Sequence, residues 1–233
     1  MKNPILSAII AALWFWAPTV SAIPLHIFLG TVPPEPVVPA SFLIEQTFEG
    51  TGFDNGETWA TSGTHNEDSN AVSMEGSQVL ELSGNSSYAQ TDYTGQTTVY
   101  AFCYIRYSSD PASTQTAFNI ADSSGTSLAS LRIGVGGIVR IAAAGSDSSN
   151  SATTLTFGAT YYVWLKFVSG GTCELAVSPT TTKPSTDGSG LVFLTKTGAS
   201  ATAARVRCIR GNTGGNWYFD RVLVSTTAIG DNP

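Results

Sequence analysis

Two stretches of this chain follow one plan, and that plan leaves few folds open. Residues 131–135 and 138–142 are mainly apolar runs joined by Gly136-Gly137. Residues 161–168 and 173–177 flank Gly170-Gly171 in the same way. Paired glycines reach the positive-φ conformations that a tight reversal needs, so each unit reads as a β-hairpin. Two-residue alternation runs through Tyr161, Val163, Leu165 and Phe167, and again through Tyr218, Asp220, Val222 and Val224. Beyond residue 22 no window shows the three-to-four-residue apolar spacing of an amphipathic helix. Many short strands with Gly-rich turns make a sandwich or a barrel, and antiparallel hairpins favour two packed sheets.

Further strands are expected at 42–49, 78–82, 98–107, 205–209 and 217–224. The strand 98–107 has two unlike faces. Val99, Ala101, Cys103 and Ile105 line one; Tyr100, Phe102, Tyr104 and Arg106 line the other. Residues 179–187 hold two prolines and a run of threonines, which prevents a strand ladder and makes a loop.

The first 22 residues obey a different logic. Lys2 starts them, residues 5–16 are a mostly apolar run, Pro18 breaks it, and Val20-Ser21-Ala22 closes with small side chains. This is the layout of a secretory signal peptide. The run is too short to span a bilayer, which takes ~20 residues. The other reading is an uncleaved apolar anchor, extended by residues 23–29. Five prolines in 23–41 (Pro24, Pro33, Pro34, Pro36, Pro39) make an extended linker. The domain is then expected over 42–227, with 228–233 as a C-terminal tail. Export places it outside the cell or on its surface. An intact apolar N-terminus docked on a particle places it in a virion, and a membrane partner follows only if that segment is retained.

Charged residues are 12% of the chain and the net charge is −6. A duplex binder needs several clustered Lys and Arg to displace phosphate counterions, so nucleic acid is excluded as a partner. Cys103, Cys173 and Cys208 each sit in an apolar run, the usual place of a small buried hydrophobe. A Cys103–Cys208 or Cys173–Cys208 bridge is the alternative in an oxidising compartment. His26 and His65 are the two histidines and no spacing suits zinc. No nucleophile elbow of the Gly-x-Ser-x-Gly kind is present. The nearest carboxylate set, Glu49, Asp54 and Glu57, lies among glycines, where the ~5–5.5 Å pair of a retaining glycosidase is hard to hold. The chain is therefore expected not to be an enzyme, and to need no redox or nucleotide cofactor.

Three motifs in order resemble concanavalin A-like and laminin-G-like jelly-roll domains. They are Phe48-Glu49-Gly50 with Trp59 and 75–82 (EGSQVLEL), then 161–167 (YYVWLKF), then 218–224 (YFDRVLV). Arg221 stands where those domains carry a second Asp. The resemblance spans 42–227 and implies a two-sheet antiparallel jelly roll with one concave face. It implies the settings of secreted glycan-active enzymes, adhesins and phage structural proteins. The Glu-x-Asp-x-x-Glu strand of hydrolases on this fold is missing here. The resemblance also implies a structural Ca²⁺ clip, for which Glu49, Asp54 and Asp220 are the candidate ligands. The plainer reading makes Asp54-Asn55-Gly56 a turn and Glu49 a local acceptor.

Tyr100, Tyr104 and Arg106 are candidate ligand-binding residues, as a sugar-stacking ridge on the concave sheet with a guanidinium for an acidic sugar. The opposing reading buries that stripe as core and turns the small-residue face outward. Tyr104 with Arg106 is also the nearest approach to a polysaccharide lyase. Trp217, at a loop-to-strand junction, either lines a sugar pocket or plugs the end of the sandwich. Arg205, Arg207, Arg210 and Arg221 either hold an anionic glycan or pair with acids on a solvated face. Asn85-Ser86-Ser87 is a glycosylation sequon. The function expected is non-catalytic, adhesive binding of a polysaccharide or cell-surface glycan. The alternative is a virion or fibre structural protein. Either role admits a homo-oligomer or larger assembly.

Overall fold

The computed structural model describes residues 42–53, 55–211, 214–231 and 233. The expected signal or anchor (1–22), the linker (23–41) and Asp54 lie outside the described residues. Among the described residues fifteen strands follow in chain order: β1 (Ile44–Gln46), β2 (Trp59–Ser62), β3 (His65–Ser69), β4 (Val79–Leu82), β5 (Tyr88–Gln96), β6 (Thr98–Tyr107), β7 (Gln115–Ala121), β8 (Ser127–Ile133), β9 (Val139–Ala143), β10 (Ser146–Asp147), β11 (Tyr161–Val168), β12 (Thr172–Ser178), β13 (Val192–Thr197), β14 (Ala203–Ile209) and β15 (Trp217–Ser225). They form the antiparallel two-sheet jelly roll that the alternation and the paired glycines predict. Sheet 1 runs β13-β12-β11-β6-β15-β4-β3, with β1 also on β15; sheet 2 runs β10-β9-β8-β7-β14-β5-β2.

The hairpin glycines are needed where they stand. Gly136 and Gly137 turn β8 into β9 at φ 70° and 72°. A Cβ on Gly137 would meet the Leu155 carbonyl oxygen at 1.9 Å. Both the left-handed backbone and the close approach exclude any other residue there.

One face of each sheet is apolar, and these two faces make the core. Sheet 1 contributes Val99, Cys103, Ile105, Leu165, Phe167 and Phe219; sheet 2 contributes Phe118, Ile120, Leu131, Ile141 and Val206. Each such side chain removes enough apolar surface from water to contribute roughly 1.5–3 kcal/mol. Trp217 lies in this core with no exposed surface, its ring 5.5 Å from that of Tyr107. Cys103, Cys173 and Cys208 are buried and unpaired, and burial pushes all three thiols up.

The 98–107 strand corrects both readings of its faces. The small residues Val99, Ala101, Cys103 and Ile105 face the other sheet. The aromatic stripe points away from the core, yet it is no open ridge. Phe102, Tyr104 and Trp164 are at most 5% exposed in a second apolar cluster with Ala176, Leu223 and Ile229. Ile229 belongs to the C-terminal tail, which folds over this face. Trp164 Nε1 donates to the Gly230 carbonyl at 3.1 Å, and the Lys183 amide donates to Asp231 Oδ1 at 2.7 Å. The tail supplies the apolar cover that the outward aromatic rings require.

β15 carries one irregularity. β4 pairs with its first half (Trp217–Phe219) and β1 with its second (Val222–Val224). Between them the register shifts at Asp220, and Arg221 adopts φ 44°. A bulge of this kind bends the strand and re-aims its side chains.

Candidate functional site

The outward face of sheet 2 is the counterpart of the covered aromatic face. Asn119 on β7 alternates with the core residues Phe118 and Ile120, and Ser130 on β8 alternates with Ala129 and Leu131. Both therefore point away from the core. The ladders place Ala60, Gln90, Arg207, Asn119, Ser130, Ala142 and Asp147 in one register row across all seven strands. The middle of that row is short side chains, and the flanks are guanidinium groups. Asn119 and Ser130 are each only 2% exposed although they face outward, because longer side chains stand on either side. The result is a trough. Over its β8–β10 end lies a depression of about 290 Å³ lined by Thr116, Ser127, Ser130, Arg132, Ala142 and Asp147.

One flank is built by the β8–β9 hairpin. Arg132 and Arg140 oppose each other across it. Arg132 Nη1 donates to Asp147 Oδ1 at 2.7 Å, Arg140 Nη1 to Asp147 Oδ2 at 3.4 Å, and Arg140 Nε to Asn150 Oδ1 at 2.7 Å. The other flank is built by β14 and β5. Arg207 Nε donates to Gln90 Oε1 at 2.6 Å and its Nη1 to the Gly125 carbonyl at 3.1 Å. Its guanidinium stands over the Tyr88 ring, 5.5 Å from the centroid. Arg205 holds Asp92 through two bonds, and this hydrogen bonding keeps the Asp92 carboxyl below the usual carboxylate range. Burial, then the like charge of Arg205, lowers the affinity of Arg207 for its proton.

Two polar atoms on this face are buried without a partner: the acceptor Asn119 Oδ1 and the donor Arg132 Nε. An unmet buried group costs about 1–3 kcal/mol; among the described residues the same holds for Trp217 Nε1 in the core and Arg221 Nε on sheet 1.

The residues expected from sequence fall elsewhere. Tyr100 and Arg106 lie on the outward face of sheet 1, partly buried, with Lys166 Nζ 5.8 Å from the Tyr100 ring centroid. Tyr104 is buried there, and burial, then its hydrogen bond with Glu75, pushes its hydroxyl up. Trp217 is packed in the core with no exposed surface. Of the four late arginines, Arg205 and Arg221 pair with Asp92 and Glu75. Arg210 is 5% exposed and donates to the carbonyls of Gly214 and Gly215. Arg207 bonds to no carboxylate among the described residues. Asn119, Ser130, Arg132, Arg140 and Asp147 had no place in the expected site. Their signal is the alternation itself, since Arg132 and Arg140 are the long polar side chains in otherwise apolar hairpin strands.

Of the implied calcium clip, Glu49 and Asp220 are described, and both are engaged by other donors. Glu49 accepts from the Ser77 amide and hydroxyl and from the Gln78 amide. Asp220 accepts from the amides of Glu75 and Arg221, both at 2.8 Å. Arg221, at the position of the missing second Asp, brings a fixed cation that bonds Glu75 at 2.6 Å. Among the described residues no three acidic, His or Cys side chains cluster as metal ligands. These carboxylates serve as caps for the β15 bulge and the 75–78 loop. Burial, then the charges of Glu49 and Glu75, pushes the Asp220 carboxyl up to about 7.

Solved structures share this fold. The cellulose induced protein Cip1 superposes with a TM-score of 0.56 over 80% of this chain and 99% of its own, at 18% identity. The binding domain of botulinum neurotoxin serotype C1 gives 0.54 at 10% identity, over 81% of this chain and 49% of that one, so the chain spans about half of the toxin domain. The lectin UEA-II, complexed with galactose, gives 0.50 at 11% identity over 79% and 99%. At such identities the likeness is one of fold. No family model and no curated protein sequence matches the chain.

Proposed function

We propose that this chain is an extracellular, non-catalytic glycan-binding module whose ligand lies in the trough on the outward face of sheet 2. The observation that carries this reading is the outward row of Gln90, Arg207, Asn119 and Ser130, with Arg132 beside it over a depression of about 290 Å³. Amide, hydroxyl and guanidinium groups set side by side are the chemistry that reads polyols. The fold neighbours lend support: one is a lectin solved with galactose, and others are toxin binding domains. Export is supported by the signal-like layout of residues 1–22. No helix among the described residues is long and apolar enough to cross a membrane.

The non-catalytic part rests on where the acids are. Asp147 and Asp92 on this face are tied to guanidinium groups, and Glu57, beside Ala60, Gln90 and Asp92, accepts from the Glu45 amide. General acid catalysis wants a carboxyl of raised pKa. Asp220 has one, but it lies on sheet 1 and is 1% exposed.

Affinity electrophoresis in gels cast with a panel of soluble polysaccharides tests the reading. At least one polymer is expected to retard the protein, and Asn119→Ala is expected to abolish that retardation while unfolding at the wild-type temperature. Migration unaffected by every polymer, or retardation that survives Asn119→Ala, would overturn it.

A further inference from the structure

We infer that the glycan taken by this face is acidic: a polysaccharide containing uronic acid residues, whose carboxylates meet Arg207 and Arg132. The inference rests on the glycan-binding reading above and deepens it. Its ground is the distribution of charge. The chain as a whole is acidic, at −6, with 11 Lys and Arg. Four of those cations, Arg132, Arg140, Arg205 and Arg207, stand on this one face. A fifth, Lys196, reaches its β10 end and donates to the Asp147 carbonyl at 3.0 Å.

The carboxylates do not balance them. Asp92 neutralises Arg205. Asp147 alone answers Arg132 and Arg140. Arg207 bonds only to neutral oxygens, those of Gln90 and Gly125. Asp122, in the β7–β8 turn, is the remaining acid near it, and its carboxylate is engaged by Ser124 and Thr126. Asp92 and Asp122 attract Arg207 without bonding to it, and a guanidinium held partly out of water gains when an anion joins it directly.

Geometry favours carboxylates on a sugar chain over a single small anion. A guanidinium presents two parallel N–H groups that match the two oxygens of a carboxylate. From β14 to β8 is two strand spacings, and Arg132 lies two residues along from the register row. Arg207 and Arg132 are thus rooted about 10–12 Å apart, the span of two sugar rings. Between them lie Asn119 and Ser130, which suit the hydroxyls of the intervening ring. Neutral sugar would satisfy Asn119 and leave Arg207 without its anion.

The test compares polymers that differ in charge alone. Polygalacturonate and its fully methyl-esterified form share one backbone. The wild-type protein is expected to bind polygalacturonate, alginate or a glucuronan at least tenfold more tightly than the corresponding ester. Arg207→Gln and Arg132→Gln are each expected to cost tenfold or more, whereas Arg106→Gln on sheet 1 is expected to cost nothing. Circular dichroism and thermal melts establish that each variant is folded. Equal affinity for ester and acid would overturn the acidic inference and leave glycan binding standing. Silence across acidic and neutral polymers alike would overturn both. Dextran sulfate bound as tightly as every uronate would show charge attraction without sugar recognition and overturn the inference. So would an Arg106→Gln loss equal to those of the trough variants.

Discussion

On sheet 1 the outward side chains of β6 and β11 are aromatic and lie beneath the chain's own tail. On sheet 2 those of β7 and β8 are short and polar, and guanidinium groups stand beside them. Both faces bury outward-pointing side chains almost completely, Phe102 at 0% and Asn119 at 2% exposure. The difference lies in what covers each face. The covered face closes on itself through apolar contact and the bond from Trp164 to Gly230. The open face carries four guanidinium groups against two paired carboxylates, Asp92 and Asp147, and Arg207 bonds to neutral oxygens. The first arrangement stabilises the fold, and the second is available to a ligand.

The comparison makes its largest claim about Trp164. If the covered face is a second core, Trp164→Ala leaves a cavity against Phe102, whose ring is 5.2 Å away. Urea unfolding is expected to show a loss of about 3–5 kcal/mol. A loss within the ~0.5 kcal/mol typical of surface positions would break the comparison. Ending the chain at Thr226 is the next largest. It removes Ile229, 5% exposed, and the Gly230 acceptor of Trp164. About 2–3 kcal/mol is expected to go, with newly exposed apolar surface reported by a dye such as ANS. Glycan affinity on sheet 2 is expected to remain. If truncation instead created sugar binding, the aromatic ridge would be a masked site and the two faces would trade roles.

Legibility from sequence divides along the same line. β6 and β11 were readable to the residue, and β15 to within one, because central strands buried on both sides read as long apolar runs. β5 and β7 gave no such signal. β5 turns Ala89, Thr91 and Tyr93 inward among polar neighbours, and β7 shows Gln115, Thr116 and Asn119 among its apolar residues. The edge strands β2 and β3 read as polar loop. The open face was hard to see for the reason that it is open: its short polar residues erase the apolar contrast by which strands are found. The aromatic stripe was conspicuous, and no periodicity reveals that a tail more than 120 residues later covers it. Glu49 and Asp220 both accept from the 75–78 loop, Asp220 from the Glu75 amide and Glu49 from Ser77 and Gln78, a pairing of carboxylate with loop donors that sequence spacing does not reveal.

Carboxyl groups sharpen the comparison through pH. Beside the covered face, Asp220 is pushed up to about 7 from an ordinary 3.8; on the open face, Asp92 is held down by Arg205. Between pH 4 and 7 the folded protein therefore keeps a proton on Asp220 that the unfolded chain releases. Its contribution is full below pH 4 and is lost as pH rises through 7. Urea denaturation at pH 5, 6, 7 and 8 is expected to show this as a decline on the order of 2 kcal/mol, allowing for relaxation around the group. In Asp220→Asn that component of the slope is expected to vanish. An unchanged slope would mean that the bulge amides keep the carboxylate ionised, and that the covered face is more polar than its rings suggest.

The smallest effect in stability separates the faces most cleanly. Asn119 Oδ1 is buried with no partner, so removing it releases a desolvation cost instead of forfeiting a bond. Its side chain points away from the core, so little apolar packing is lost with it. Asn119→Ala is expected to leave stability unchanged or to raise it by up to about 1 kcal/mol, measured by the same urea titration. A core position of equal burial behaves oppositely, as Trp164 does. A residue whose loss costs the fold nothing, yet which is 2% exposed and in register with six others across the sheet, has its use outside the fold. Were Asn119→Ala to destabilise by about 2 kcal/mol or more, its oxygen would have an internal partner, and the trough would be one more sealed face.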